Sequence, residues 1–175
     1  RGFSMVSNAV RCTKCVMDTT ESLIAFDENA VCDHCNTFYN DIKPNWNPND
    51  NGWSEISKIA DKIKKEGKGK EFDCIIGMSG GIDSSYLVYL AKEKLGLRPL
   101  VFHVDAGWNS QQAVHNIERI VDKLDLDLYT EVINWEEMKD FQLAFFKSGV
   151  PHIDIPQDHA FVATLYNFAD KHNIK

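Results

Sequence analysis

The segment that most constrains the fold is the apolar run Asp73-Cys-Ile-Ile-Gly-Met78, which leads straight into Ser79-Gly80-Gly81-Ile82-Asp83-Ser84-Ser85. A short apolar run closed by a glycine turn reads as a buried strand. The residues beyond the turn (Tyr86, Leu87, Leu90, Ala91) recur at helical spacing as an amphipathic helix that stops near Gly96. Strand, turn and helix in that order make a βα unit, and the pattern repeats. Leu100 to Val104 is a second strand, followed by a helix with Val114, Ile117, Ile120, Val121 and Leu124 on one face. Leu128 to Ile133 is a third strand. Asn134 caps the next helix, with Glu137 three residues on in capping-box position. A last helix runs from about Asp158 to His172 and buries Phe161, Leu165 and Phe168. This alternation predicts an α/β fold: a parallel sheet with right-handed crossovers and helices on both faces. Three strands leave an unpaired edge, with Ile174 at the position of a fourth, so the sheet is expected to be truncated or completed by a partner chain.

The glycine turn also predicts a ligand. Glycines between a strand and a helix let the backbone approach a bound group closely, and the helix start aims free N–H groups and a positive dipole end at it, which favours phosphate. Ser79, Ser84 and Ser85 add neutral donors, whereas Asp83 would repel phosphates unless it holds Mg²⁺ or caps the helix. The string is neither a Walker A loop nor the G-x-G-x-x-G dinucleotide turn. Ligands of open α/β sheets bind at the carboxyl ends of strands, where Ser79 and Asp105 both fall.

A different chemistry is written near the N-terminus. Four of the five cysteines form the pairs Cys12-Thr-Lys-Cys15 and Cys32-Asp-His-Cys35, a C-x2-C-x16-C-x2-C arrangement. Two tight turns that each aim two sulfurs at one point complete a tetrahedron around Zn²⁺, and four thiolates leave no open position, so the predicted metal is structural. Leu23, Ile24, Ala25, Phe26 and Val31 are too few to hold this segment folded without help. Redox disulfides or free buried thiols are the alternatives. His34 is expected to be exposed, and Cys74 to pack in the core.

With 43% hydrophobic and 26% charged residues, the 175-residue chain is globular, large enough for one medium α/β domain and a small appendage. The expected division is a four-cysteine zinc module over 1–40, a linker over 41–53 and the α/β portion over 54–175, which opens with Ile56, Ile59, Ala60 and Ile63 at helical spacing. The net charge of −7 argues against a large nucleic-acid footprint, and the lysines between Lys62 and Lys70 read as a solvated helix end. No apolar run reaches the roughly 18 residues of a membrane span. Arg1 to Val10 has no signal-peptide h-region, and Arg1 to Ser4 read as an expression-tag scar before a native Met5. The expected location is cytoplasmic.

The string Ser-Gly-Gly-Ile-Asp-Ser-Ser resembles the PP-loop signature of the N-type ATP pyrophosphatases, relatives of GMP, NAD and asparagine synthetases with an adenine nucleotide alpha hydrolase-like fold. Val104-Asp105-Ala-Gly107 is similar to the V-D-x-G that follows their second strand. With Arg11-Cys-Thr-Lys-Cys-Val-Met17 and Phe26-Asp-Glu-Asn-Ala-Val-Cys32-Asp-His-Cys35 before it, the chain resembles the N-acetyl sugar amidotransferases of bacterial surface-glycan pathways, including O-antigen and legionaminic or pseudaminic acid-type sugars. That family runs on beyond residue 175, so the chain corresponds to its N-terminal half.

The resemblance implies ATP, Mg²⁺ and structural Zn²⁺ as cofactors, with adenine beside the second strand. Ser79, Gly80, Gly81, Ser84 and Ser85 would hold the β- and γ-phosphates, Asp83 Mg²⁺ or the loop, and Asp105 the metal or the nucleotide. The substrate would be a free or nucleotide-linked N-acetyl sugar. Its acetamido oxygen is adenylylated and then replaced by ammonia nitrogen, releasing AMP and pyrophosphate. No glutaminase machinery is visible, so ammonia is expected from glutaminase and cyclase-like subunits similar to those of imidazole glycerol phosphate synthase. His152, Asp154, Asp158 and His159, gathered in Pro151–Ala160, are either a sugar or metal contact or a proline-limited loop. The rival readings are a tRNA-thiolating PP-loop enzyme and a zinc-stabilised nucleotide-binding adaptor.

Overall fold

A computed structural model of the chain describes residues 9–174; the expected tag scar and Met5 lie outside the described residues. The chain divides into two compact units, Arg1–Ile56 and Ser57–Lys175.

The first unit is built from two cysteine turns, each closed by one antiparallel bridge, Arg11↔Asp18 and Phe26↔Cys32. Asp27 organises the second turn: its Oδ1 accepts from Asn29 N at 2.9 Å and Val31 N at 3.0 Å, and its Oδ2 from Asn36 Nδ2 at 2.9 Å. The Asn36 side chain, then the Val31 amide, hold this carboxyl below its ordinary value. Cys32 caps a short helix α1 (Asp33–Thr37). A π-helical turn (Phe38–Ile42) and a 3-10 turn (Lys43–Asn45) follow, so much of the stretch read as linker is helical. The helix expected from Ser54 starts earlier, as α2 (Asp50–Glu66), because Asn49 Oδ1 accepts from the amides of Asn51 and Gly52 at 3.0 and 3.3 Å.

The second unit is the parallel α/β sheet that the alternation predicts. Strands β1 (Cys74–Gly77), β2 (Pro99–Asp105) and β3 (Leu128–Val132) lie in the order β1-β2-β3, with Cys74 opposite Pro99 and Val101 opposite Leu128. Helices α3 (Ile82–Tyr89) and α4 (Gln111–Leu124) connect them, and α5 (Trp135–Ser148) and α6 (Ile155–Lys171) follow β3. On one face Met78, Val88, Val101 and Ile117 are buried together, with Ala60, Cys74, Ala91 and Leu97 forming an adjoining cluster. On the other, Phe168 of α6 packs against both Phe102 and Tyr129, with ring centroids 5.0 and 4.3 Å away.

Two helix expectations change. The last helix begins at Ile155 rather than near Asp158, since Pro156 in the first turn needs no N–H partner there. α3 is less amphipathic than its spacing suggests: Val88 is buried, but Ile82, Tyr86 and Leu87 are exposed, Ile82 at 83%. Asn134 caps α5 as expected, accepting from the amides of Glu136 and Glu137. No helix among the described residues is long and apolar enough to cross a membrane.

One polar device sets the entrance to β1. Asp73 is buried and takes three bonds from Arg98: backbone N at 2.9 Å, Nε at 3.2 Å and Nη2 at 2.7 Å. Arg98 also donates to the carbonyls of Lys70 and Gly67, which pins the 67–73 turn. These bonds hold the Asp73 carboxyl below its ordinary value.

Candidate functional site

The four paired cysteines converge. Their sulfurs all lie within 4.8 Å of one another, Cys12 to Cys35 at 3.9 Å and Cys15 to Cys32 at 3.6 Å. Tetrahedral Zn²⁺ with Zn–S bonds of about 2.3 Å requires sulfurs about 3.8 Å apart, so the cluster fits that ion. Amides of Lys14 and Cys32 point at Cys12 Sγ (both 3.3 Å), and that of Cys35 at Cys32 Sγ (3.4 Å). Such bonds orient thiolate ligands. Burial pushes the Cys12 thiol up, but the amides of Cys32, Lys14 and Cys15 outweigh it and bring it down to about 6. Burial, then the neighbouring thiols, push Cys35 up to about 12. A divalent ion held by the four sulfurs would favour their thiolate forms. His34 is exposed, as expected, and its Nε2 lies 3.9 Å from Glu21.

In the second unit, the glycine loop sits where β1 ends. Gly80 has φ +78°, and a Cβ there would stand 2.3 Å from the carbonyl oxygen of Ala113 on α4, so only glycine fits. Asn116 on α4 donates to Gly80 O at 2.9 Å. Gly81 is the N-cap of α3 and has no side chain to satisfy the helix start, which leaves the first α3 amides pointing out of the helix end. The serines tie the loop together: Ser84 Oγ accepts from Ser79 N at 3.2 Å and lies 3.2 Å from Ser79 Oγ, while Ser85 Oγ donates to Gly81 O at 2.7 Å.

Two clefts flank this loop. A cavity of about 570 Å³ reaches Ser79 and Ser84 and is walled by Phe102, His103, Trp108 and Ser110 and by Phe161 and Leu165 of α6. A second, of about 450 Å³, touches Gly80, Gly81 and Ser85 together with Arg119 and Lys123. The loop residues expected from the sequence are thus together, divided between its two sides.

The acids stand apart from the cavity walls. Asp83 is exposed in the first turn of α3. Asp105 ends β2 and folds back, its Oδ1 accepting from Gly107 N at 2.8 Å. Gly107 has φ +87°, and a Cβ there would meet the Trp135 ring at 2.7 Å, so Val-Asp-Ala-Gly has a turn-forming and packing reason of its own. His152, Asp154, Asp158 and His159 are all exposed around the start of α6, where Gln157 is the residue that lines the larger cavity. The loop before α6 is held by Gln142 of α5, which donates to Ile153 O at 2.8 Å. Cys74 opens β1 at the end away from the glycine loop, and burial, then the Asp73 charge, push its thiol up to about 11.

Sequence reasoning passed over His103, Asn109 and Asn116. The available signal was a histidine in an otherwise apolar strand.

No family model matches the chain. An uncharacterized protein of Methanocaldococcus jannaschii, MJ1599, is 32% identical over 120 residues, 68% of this chain and 41% of that protein. Among solved structures, the NMN synthetase of Francisella tularensis aligns with a TM-score of 0.51 and 25% identity over 69% of this chain and 51% of that one. The glutamine-dependent NAD+ synthetase of Acinetobacter baumannii, solved with ADP, aligns at 0.53 with 18% identity over 66% of this chain and 22% of that one, a likeness of fold alone. The chain spans about half the length of these relatives or less. The sheet, the loop at the end of β1 and these alignments agree on an α/β fold of the PP-loop synthetase type, preceded by a four-cysteine cluster suited to zinc.

Proposed function

We propose that the chain is the nucleotide-binding part of an ATP-dependent amidotransferase that converts the acetamido group of an N-acetyl sugar into an acetamidino group in bacterial surface-glycan synthesis. The observation that carries the reading is the glycine loop itself: an uncapped helix start at the carboxyl end of β1, beside a largely apolar cavity of nucleoside size. The likeness to NMN synthetase supports ATP-driven amide chemistry, and the sequence resemblance carried by the cysteine pairs together with the glycine loop supports the sugar branch.

The chemistry asks little of side chains beyond placement and charge. The acetamido oxygen attacks the α-phosphorus of ATP and pyrophosphate leaves. Ammonia adds to the activated carbon, AMP departs with the former carbonyl oxygen, and loss of a proton leaves the amidine. The loop amides and Ser79, Ser84 and Ser85 would bind the leaving phosphates, with Phe102, Phe161 and Leu165 enclosing the nucleoside and excluding water. Asp83 would hold Mg²⁺, which neutralises phosphate charge when bound. His152, Asp154, Asp158 and His159 are proposed to meet the sugar, and ammonia to come from separate glutaminase and cyclase-like subunits. A cytoplasmic location follows from the need for ATP. The buried, proton-holding Cys74 speaks against the thiolation reading, which needs a reactive cysteine or an iron–sulfur site near the loop and a basic face for tRNA.

The test is product analysis on the full-length protein with ammonia, Mg-ATP and a panel of free and nucleotide-linked N-acetyl sugars. AMP, pyrophosphate and a sugar product carrying nitrogen in place of oxygen are expected; ADP as product, or tight tRNA binding at moderate salt, contradicts the assignment. Asp83→Ala should weaken Mg²⁺-dependent ATP binding, and unchanged affinity would remove Asp83 from the site.

A further inference from the structure

The buried imidazole of His103 has both ring nitrogens committed, and to two different walls of the same cavity. Nδ1 lies 2.9 Å from the carbonyl oxygen of Met78, the residue between β1 and the glycine loop. Nε2 lies 3.0 Å from Asn109 Nδ2. A carbonyl only accepts, so Nδ1 donates to Met78 O, and Nε2 accepts from the Asn109 amide. Asn109 stands between Trp108, edge-on to Trp135 at 5.0 Å, and Ser110, which caps α4 by accepting from Ala113 N. Ala113 in turn backs Gly80. His103 is 8% exposed and lines the cavity that Ser79, Trp108 and Ser110 also line.

We infer that His103 and Asn109 are positioning residues that hold the Trp108–Ser110 segment at a set distance from the glycine loop, so that one ligand can engage both. The inference rests on the nucleotide reading and refines it. A ligand that touches the loop alone, such as pyrophosphate, does not need the link; ATP, which spans loop and cavity, does. Neither residue touches the reacting atoms. An imidazole serves here because it reaches a strand-end carbonyl and a loop amide at once, with opposite hydrogen-bond polarity at its two ends.

The test compares Mg-ATP and pyrophosphate binding by calorimetry for the wild-type chain, His103→Asn, Asn109→Ala and the double variant. Asparagine at 103 can keep the N–H toward Met78 and drops only the link to Asn109. Each single variant should bind ATP about tenfold more weakly, the value of one buried hydrogen bond, and the double variant no more weakly than the singles. Pyrophosphate affinity should stay within about twofold, a split that general loosening of the fold would not produce. The inference is overturned if the singles bind ATP like wild type, if ATP and pyrophosphate affinities fall together, or if the two substitutions add. A wild-type chain that binds neither ligand overturns the nucleotide reading and this inference with it, whereas intact wild-type binding with unaffected variants overturns this inference alone.

Discussion

The two units of the chain reach order by opposite routes. Among the described residues of the cysteine unit, those buried are Cys12, Val31, Cys32 and Cys35, so its centre is its sulfurs, and the apolar groups around them (Met17, Ile24, Phe26) form a thin coat. In the α/β unit, the centre is hydrocarbon: Val88, Val101 and Phe102 are essentially inaccessible, and polar groups such as Asp73, His103 and Gln142 enter only with partners in hand. The contrast teaches that a unit centred on sulfur, with so thin an apolar coat, would depend on a bound ion, whereas the other depends on packing, so they should fail under different insults.

The largest effect should come from the metal. Cys12→Ser, or a strong chelator, should cost the first unit the free energy of a structural zinc, about 10 kcal/mol or more, and unfold it. Metal analysis should find about one zinc per chain. Amide NMR should show the dispersion of residues 9–45 lost and that of the sheet kept; a sheet that melts with the metal would break the comparison.

Next is Gly80→Ala, which places a methyl against the Ala113 carbonyl and demands φ +78° of an L-residue. A loss of about 3 kcal/mol in denaturant unfolding of the second unit is expected, together with loss of pyrophosphate binding and with zinc content unchanged. Asp73→Asn should cost the same unit about 2 kcal/mol, since it strips a buried carboxylate from Arg98. Because the bonds from Arg98 hold the Asp73 carboxyl below its ordinary 3.8, its contribution is full above that value and disappears as pH falls through the lower, folded one. Acid unfolding should therefore be shallower in the variant than in wild type, and equal slopes would deny the ion pair that role. The smallest effect, about 1 kcal/mol, is expected for Asn116→Ala, which leaves Gly80 O without its side-chain donor, measured as a shift in denaturant midpoint.

What the sequence disclosed follows the range of the interactions. The cysteine pairs and the strand–glycine–helix order are local patterns, and a local pattern needs only turn geometry and a period to be read. The limits were equally local: Pro156 and Asn49 move helix starts by three or four residues through single capping choices. Long-range pairing stayed hidden. His103 meets Met78 across 25 residues, Asn116 meets Gly80 across 36, and Arg98 reaches back over 25 to Asp73. Nothing in the spacing of those residues announces a partner, because the parallel crossover brings them together only once the sheet exists. The exposed apolar side of α3 was misjudged for a related reason: period reports which residues share a face, not what covers that face.

The central claim, that the loop from Ser79 to Ser85 grips the phosphates of a nucleotide through its main-chain amides, is tested most directly by titrating the isotopically labelled chain with Mg-pyrophosphate and with Mg-ATP and following its amide resonances. Gly80, Gly81, Ile82 and Asp83 should move with both ligands, and Trp108 and Phe161 with ATP alone. Saturable shifts elsewhere, with the loop amides unmoved, would contradict the claim.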